Sequence, residues 1–256
     1  MIHKNSIIGK ENKFGKNVII NENVIIRDNN YIGNNTVIES DNCKIEIGDN
    51  NYISDFCSIG KYPQHMIKKF EFEKNDIDDN KKIIIGSNNV LREFITVHVP
   101  YKSDITSIGS NCYLMDYCHI AHDCKIFDNV NIANNCQIGG HSVIFNNTTI
   151  GLTVTIHQCS TIGSYCMIGM GTVITKDIPP FLLVYGNPIK SFSIDDFGLK
   201  KHGFTNIQIE KIKEFYRTFD VSDAFINNEM EKFCKYSTRD VYIWNKRKLC
   251  LDIKAK

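Results

Sequence analysis

The amino-acid sequence predicts an all-β fold, a three-sided prism of short parallel strands, followed by a small α-helical domain. Two observations carry this prediction. A large apolar residue recurs at every sixth position over long stretches between Ile2 and Ile174. Beyond Thr205 this repeat gives way to apolar residues at helical spacing.

A period of six matches neither an amphipathic helix nor a simple alternating strand. It is typical of short parallel strands joined by tight turns, with one side chain of each hexad pointing inward. Three hexads make one coil, and backbone hydrogen bonds join successive coils at a spacing of about 4.8 Å. Grouping the hexads by threes predicts eight coils, whose third members are Ile20, Ile38, Ile59, Val97, Ile120, Ile138, Ile156 and Ile174.

The chain contains ten cysteines, but it has no Cys-x-x-Cys pair. Free cysteine behaves as a small buried hydrophobe. We therefore predict packing inside the prism, with no metal site, for the six cysteines that stand two residues before an inward aliphatic residue, namely Cys57, Cys112, Cys118, Cys124, Cys136 and Cys166.

Three interruptions of the repeat, at residues 39–46, 60–84 and 98–107, each follow a third member and therefore leave the prism at one edge. We predict a β-helix domain over residues 1–190, with a loop insertion at 60–84, and an α-helical domain over residues 191–256. Thr205 and Ser222 are the predicted N-caps of two helices in the second domain.

Charge and hydropathy restrict the classes of partner. The 30 lysines and arginines nearly cancel the 29 aspartates and glutamates, so no global basic field attracts nucleic acid. The N-terminus lacks the features of a signal peptide, and no apolar stretch of about 18 residues occurs. We expect a cytoplasmic protein without a transmembrane segment.

Five histidines lie beside the third members of consecutive coils, and we expect them to form a column on the edge that carries the interruptions. Imidazole accepts a proton from a nucleophile near neutral pH and donates hydrogen bonds to phosphate or thioester groups. Both properties suit acyl transfer. The five are His98, His119, His122, His141 and His157.

Within this column, Asp123 follows His122 and is suited to orient its imidazole as a general base. One coil further, Gly140 occupies the position that corresponds to His122. A glycine there lets an acyl carbonyl approach a backbone N–H that stabilises an oxyanion. A glycine needed only for the geometry of the corner is equally compatible with the sequence.

Several motifs, in their order along the chain, resemble those of the hexapeptide acyltransferases typified by UDP-N-acetylglucosamine O-acyltransferase of lipid A synthesis. They are Arg92-Glu93, Thr96-Val97-His98, the run from His119 to Cys124, Gly140-His141, Ile156-His157-Gln158, Gly198-Leu199-Lys200 and Gly203-Phe204.

The resemblance implies a left-handed β-helix that forms a homotrimer, with each active site between two subunits. It implies a thioester as acyl donor and no permanently bound cofactor. His122 with Asp123 would be the general base, and Gly140 would be the oxyanion donor. The ligand contacts would be His98, His119, His141, His157 and Gln158.

The chain also departs from this family. In the 60–84 loop it has Pro63-Gln64-His65-Met66-Ile67 where family members typically have Pro-Gln-Asp-Leu-Lys, which removes an acidic and a basic contact unless Lys68 substitutes. Met170 replaces a glycine of long-chain members and would shorten the acyl groove. Lys201-His202 replaces paired arginines, and Asp195 replaces an asparagine. We expect substrate contacts from Gln64, His65, Met170, Lys201 and His202.

These departures favour an acyl-CoA-dependent N-acyltransferase acting on a dTDP- or UDP-linked amino-deoxy sugar of surface polysaccharides. In that reaction His122 would mainly position groups, because an unprotonated amine is already a good nucleophile.

Two other hypotheses remain open. The first is the acyl-carrier-protein-dependent 3-O-acyltransferase of lipid A synthesis, with a basic rim of Lys200, Lys201, Lys246, Arg247 and Lys248 for the acidic carrier protein. The second is a non-catalytic assembly module, which leaves the clustering of histidines unexplained.

Overall fold

The computed structural model describes residues 1–40, 43–64, 80–189, 191–220 and 222–241. Over these residues the chain winds as a left-handed β-helix whose short strands form three sheets. This confirms the predicted fold class. Each coil contributes one strand to each sheet, so the three sheets are the three sides of the prism.

The first sheet contains eight parallel strands, in the order β1 (Ile7–Ile8), β4 (Val24–Ile26), β7 (Lys44–Ile47), β10 (Lys82–Ile85), β13 (Ile105–Ile108), β16 (Lys125–Ile126), β19 (Val143–Ile144) and β22 (Thr161–Ile162).

The second sheet contains ten strands, in the order β2 (Lys13–Phe14), β5 (Tyr31–Ile32), β8 (Tyr52–Ile53), β11 (Val90–Leu91), β14 (Tyr113–Leu114), β17 (Asn131–Ile132), β20 (Thr149–Ile150), β23 (Met167–Ile168), β25 (Leu182–Tyr185) and β26 (Ser191–Ile194).

The third sheet contains eight parallel strands, in the order β3 (Ile19–Ile20), β6 (Val37–Ile38), β9 (Ser58–Lys61), β12 (Thr96–His98), β15 (His119–Ile120), β18 (Gln137–Ile138), β21 (Thr155–Ile156) and β24 (Val173–Ile174).

The in-register pairing of these strands stacks the hexad residues directly above one another. Ile120 pairs with Ile138, and Ile138 pairs with Ile156. All three side chains are at most 2% exposed. The third sheet contains every predicted third member, so the hexad phase read from the sequence is the phase of the folded coils.

The cysteines predicted to face the interior are buried. Each of the six is at most 2% exposed. Burial raises the pKa of the thiols of Cys57, Cys124 and Cys166 to about 12. These thiols are neutral packing groups at physiological pH.

The corners of the prism place one residue of most hexads in the left-handed conformation. Asn35, Asn129 and Asn135 adopt positive φ there, which asparagine tolerates better than most residues. The same conformation is adopted by Asp123 and His141, with φ values of 63° and 61°. Two candidate site residues therefore occupy corner positions that asparagine fills elsewhere.

The predicted interruptions are too long, because parts of them are strand. Strands β7, β10 and β13 begin within or at the end of the three segments. Their inward residues Ile45, Ile83 and Thr106 are buried. Each of these strands therefore begins before the hexad with which the repeat resumes. Residues 65–79 of the 60–84 loop lie outside the described residues.

The repeat continues for one strand beyond Ile174. Strand β25 pairs in parallel with β23, and β26 then returns antiparallel to β25. The predicted domain boundary at residue 190 falls between these two paired strands and stays a prediction. Three helices follow, α1 (Asp196–Lys201), α2 (Asn206–Thr218) and α3 (Ala224–Tyr236).

Thr205 caps α2 as predicted, in a reciprocal capping box with Gln208. The predicted cap of α3 is wrong by one residue. The Asp223 carboxylate accepts hydrogen bonds from the amides of Phe225 and Ile226, whereas the Ser222 hydroxyl donates to Asp220. None of these helices is long and apolar enough to cross a membrane.

The stacking of the hexad residues predicts that substitutions at two neighbouring residues of β17 have very different effects on stability. Ile132 is fully buried, so Ile132→Ala should lower the free energy of unfolding by about 2–5 kcal/mol. Asn131 is exposed, and Asn131→Ala should change it by less than about 0.5 kcal/mol. Urea unfolding of both variants measures the difference, and equal effects would contradict the assignment of the inward face.

Candidate active site

A cavity of about 330 Å³ lies along the third sheet and the corner that follows it. Its lining brings together six of the residues predicted from the sequence, namely Gln64, His98, His119, His122, Gly140 and Gln158. The insertions and the histidines therefore share one edge, where consecutive coils supply consecutive side chains.

His122 and Asp123 form a hydrogen-bonded pair at the centre of this edge. The Nδ1 atom of His122 is 2.7 Å from Oδ2 of Asp123. Adjacent residues achieve this contact because Asp123 has the left-handed corner conformation, with φ 63°. Nε2 of His141 lies 3.3 Å from the same oxygen, so one carboxylate contacts two imidazoles.

The Asp123 carboxylate is 3% exposed and is held by the interruption at residues 98–107. Its Oδ1 atom accepts hydrogen bonds from the amides of Tyr101 and Ser103 at 3.0 and 2.8 Å, and from the Ser103 hydroxyl at 2.6 Å. The amide of Lys102 donates to Oδ2 at 3.2 Å.

The pKa of Asp123 is displaced by two opposing effects. Burial alone would raise it, but the hydrogen bonds from His122 and Ser103 and the backbone amides lower it, and the net pKa lies below the ordinary value. Asp123 is therefore a fixed negative charge at neutral pH. Since a carboxylate only accepts hydrogen bonds, the neutral imidazole of His122 has its proton on Nδ1, and its Nε2 is then the acceptor.

Gly140 lies directly against the imidazole of His122. A Cβ atom at Gly140 would be 2.7 Å from Nε2 and from Cε1 of that ring. Gly140 does not have positive φ, because the left-handed residue of this corner is His141. The glycine therefore provides space beside Nε2, and corner geometry does not require it. Its amide N–H has no acceptor among residues 1–241 that the structure describes.

His98 and His119 form the buried end of the cavity. Their rings meet edge to face at 4.6 Å between centroids, and Nδ1 of His119 is 2.7 Å from the Thr96 hydroxyl. Burial lowers the pKa of His98 to about 4, and repulsion from His119 and His122 when those rings are protonated contributes to the shift. Burial also lowers the pKa of His119. Both imidazoles are neutral near pH 7.

His157 and Gln158 are exposed at the other end of the column. Nδ1 of His157 is 2.7 Å from Nη1 of Arg239. Sequence reasoning missed Arg239, because no repeat connects residues separated by 82 positions. It also missed Gln137 and Thr155, which line the cavity. Their outward positions in β18, which pairs with β15, and in β21, which pairs with β18, could have indicated this.

The remaining predicted contacts lie away from this cavity or outside the described residues. Met170 is 73% exposed at the corner between the second and third sheets. Lys201 has its Nζ atom 4.6 Å from the ring of Phe197, and the ring of His202 lies 5.4 Å from that of Tyr165. His65, Ile67 and Lys68 lie outside the described residues. So do residues 246–248, in a separate part of the chain.

Asp195, which was predicted from the sequence to alter nucleotide recognition, has a structural role in this fold. Its carboxylate accepts a hydrogen bond from the amide of Gly198 at 3.0 Å and caps α1. An asparagine oxygen would cap the helix in the same way.

A left-handed β-helix with a histidine–aspartate pair and neighbouring histidines on one edge defines the class of hexapeptide-repeat acyltransferases. A family model described as bacterial transferase hexapeptide matches residues 5–40 and 105–140. A second, described as domain 2 of UDP-N-acetylglucosamine O-acyltransferase, matches residues 177–243.

Two relatives named acyl-[acyl-carrier-protein]–UDP-N-acetylglucosamine O-acyltransferase extend this similarity. The protein from Halorhodospira halophila is 32% identical over 74% of this chain and 71% of its own length. The protein from Saccharophagus degradans is 37% identical over 84% of this chain and 83% of its own length. The chain belongs to the UDP-N-acetylglucosamine O-acyltransferase family.

Solved structures agree with this assignment. LpxA from Acinetobacter baumannii matches with a TM-score of 0.78 and 27% identity, over 100% of this chain and 95% of the other. LpxA from Bacteroides fragilis, a UDP-N-acetylglucosamine acyltransferase, matches with a TM-score of 0.72 and 30% identity, over 94% and 96%.

The prediction of a coenzyme-A-dependent N-acyltransferase is therefore wrong, because the relatives are O-acyltransferases with acyl carrier protein in their names. Its physical basis was the loss of contacts at His65 and Ile67 and the bulk of Met170. Two of these residues lie outside the described part of the chain. The expected effect of Met170 was on the length of the acyl groove, and such an effect says nothing about whether the acceptor atom is nitrogen or oxygen.

The low pKa of His98 predicts a pH dependence of stability. The unfolded state binds a proton at His98 near pH 6.5 and the folded state only near pH 4. The unfolded state therefore holds more protons between these values, and the free energy of unfolding rises with pH there, by up to about 3 kcal/mol.

Denaturant unfolding from pH 4 to 7 tests this expectation. His98→Gln should flatten the rise, while His3→Gln, outside the cavity, should leave it unchanged. A residual slope is expected from His119 and His141, whose pKa values burial also lowers. An unaltered slope in His98→Gln would contradict the assignment of a buried, neutral His98.

Proposed function

We propose that this protein transfers an acyl group from acyl carrier protein to a hydroxyl of UDP-N-acetylglucosamine. The observation that carries the proposal is the His122–Asp123 pair, whose free Nε2 faces the backbone of Gly140. Membership of the family supports the choice of acceptor and donor.

A sugar hydroxyl needs proton removal as it attacks, and His122 Nε2 is suited to accept that proton. The hydroxyl oxygen bonds to the thioester carbonyl carbon, and the carbonyl oxygen becomes an oxyanion that the Gly140 N–H stabilises. The C–S bond then breaks, and the imidazolium returns the proton to the departing thiolate. The Asp123 carboxylate stabilises the imidazolium between these steps.

The other residues of the column serve as substrate contacts in this proposal. His98 and His119 are neutral near pH 7, so each offers one N–H donor to the sugar or its acyl group without adding charge. Gln64, His141, His157 and Gln158 extend these contacts along the edge, and Lys201 with His202 contacts the nucleotide. Function as a homotrimer, with each site shared by two subunits, is part of the proposal.

Met170 is proposed to limit the length of the acyl chain. It belongs to the coil of Ile174, three coils beyond that of Ile120, beside which His122 lies. Three coils correspond to about 14 Å along the prism axis. An acyl chain that extends from the thioester carbonyl along the prism axis and crosses the third sheet to its preceding corner would meet this exposed side chain.

An assay of acceptors and donors tests the proposed reaction. We expect activity with UDP-N-acetylglucosamine and acyl carrier protein loaded with chains of increasing length, and much weaker activity with the corresponding acyl-CoA. Met170→Gly should extend acceptance to longer chains without changing the acceptor. Equal rates with dTDP- or UDP-linked amino sugars would contradict hydroxyl acylation, and an unchanged chain preference in Met170→Gly would contradict the limiting role.

Replacement of the base gives a second test. His122→Ala should lower kcat by about 10²–10⁴-fold, the range typical of general-base catalysis, because the atoms nearest to a Cβ at Gly140 all belong to the His122 ring. Circular dichroism and a thermal melt control for folding. Substantial residual turnover in a folded His122→Ala enzyme would mean that the acceptor does not need the base.

A further inference from the structure

We propose that Arg239 is a positioning residue that fixes the tautomer and orientation of His157, so that Nε2–H of His157 is a preset donor to an acceptor oxygen of the substrate. The inference rests on the proposed function, in which His157 contacts the substrate. It gives the segment that follows α3 a role in the site.

The Arg239 guanidinium bridges two coils of the prism. Its Nε atom donates to the carbonyl of Thr175 at 3.0 Å, and its Nη1 atom donates to the carbonyl of Gln158 at 2.8 Å. The same Nη1 lies 2.7 Å from Nδ1 of His157. Nη1 carries two hydrogens, so it has one for each of these two neighbours.

These contacts determine which ring nitrogen of His157 carries the proton. A guanidinium offers donors only, so at 2.7 Å the Nδ1 atom must be the acceptor. Nδ1 also lies 3.0 Å from the Gln158 carbonyl. That second contact is not a hydrogen bond, because an Nδ1 atom that accepts from Arg239 carries no proton to donate to the carbonyl. The neutral ring therefore carries its proton on Nε2.

The Nε2 atom of His157, which carries the proton, is available to a ligand. His157 is exposed, and Nε2 has no partner among the residues that the structure describes. A ring held in place by Nδ1 presents its Nε2–H in one direction, which reduces the entropy lost when a substrate oxygen accepts from it.

Arg239 is itself anchored, unlike a surface arginine on a free chain end. Its backbone amide donates to Oδ2 of Asp177 at 3.0 Å, and that oxygen also accepts from the Ser237 hydroxyl at 2.7 Å. Asp177 is fully buried, and its other oxygen accepts from the amide of Thr161 at 2.7 Å. One buried carboxylate thus joins the β-helix to the residues that carry the guanidinium.

The test uses Arg239→Gln in the full chain, with Arg217→Gln as the matched control. Arg217 lies on α2, and its partner among the described residues is Glu214, at 2.9 Å. Correlations of ¹⁵N-labelled histidine, assigned with His157→Gln, report the tautomer without any substrate. We expect the Nε2–H form in the wild type and in Arg217→Gln, and a substantial Nδ1–H population in Arg239→Gln, because Nδ1 is then free to donate to Gln158.

Kinetics test the consequence for the reaction. Arg239→Gln should raise KM for the sugar nucleotide about tenfold, as expected for one weakened hydrogen bond, with kcat nearly unchanged. In a His157→Ala background the same substitution should have little further effect, because Arg239 acts through the ring. Arg239→Lys should not restore KM, since one ammonium replaces a fork that contacts three acceptors.

The outcomes separate this inference from the proposed reaction. An unchanged tautomer in Arg239→Gln overturns the inference whatever the substrate. Additive effects of Arg239→Gln and His157→Ala overturn it as well, because Arg239 would then contact the ligand directly. If UDP-N-acetylglucosamine is not a substrate but the tautomer shift is present, the proposed function and the proposed ligand are overturned. The effect of Arg239 on His157 would still stand.

Discussion

The in-register stacking of coils is the constraint on which the rest of this structure depends. Each coil donates backbone hydrogen bonds to the next, and each hexad buries one aliphatic side chain above its counterpart. Because the period is constant, a residue type repeated at one phase of the hexad becomes a column in space. The five histidines occupy different hexad phases, but each lies within three positions of the third member of one of four consecutive coils, so stacking at about 4.8 Å brings them together at one edge.

The corners turn this regular scaffold into a site. Asparagine is the residue found most often in the left-handed conformation at the corners, and Asp123 and His141 occupy the same backbone position. The positive φ of Asp123 turns its carboxylate back onto its neighbour His122, a contact that an extended strand does not allow. The 98–107 interruption then supplies three amides and a hydroxyl to this carboxylate, which holds it ionised against the cost of burial.

The C-terminal segment contacts one end of the histidine column. Asp177 is buried without a charged partner among the described residues, and three hydrogen bonds from two parts of the chain stabilise it. These bonds bring Arg239 beside His157 and Gln158. The helical region is therefore joined to the column through a side chain, in addition to its apolar contact around Phe181 and Phe233.

The sequence by itself determined the hexad phase, the three sides of the prism, the inward cysteines and the grouping of the histidines on one edge, because each follows from a short period that local residues enforce. The tertiary structure alone decided the bent His122–Asp123 contact, the steric reason for Gly140, and the pairing of Arg239 with His157. These contacts depend on backbone conformation at a corner or on residues far apart along the chain, and neither leaves a periodic trace. The choice between hydroxyl and amine acceptors was also beyond the motifs, because the bulk of a residue such as Met170 does not distinguish oxygen from nitrogen.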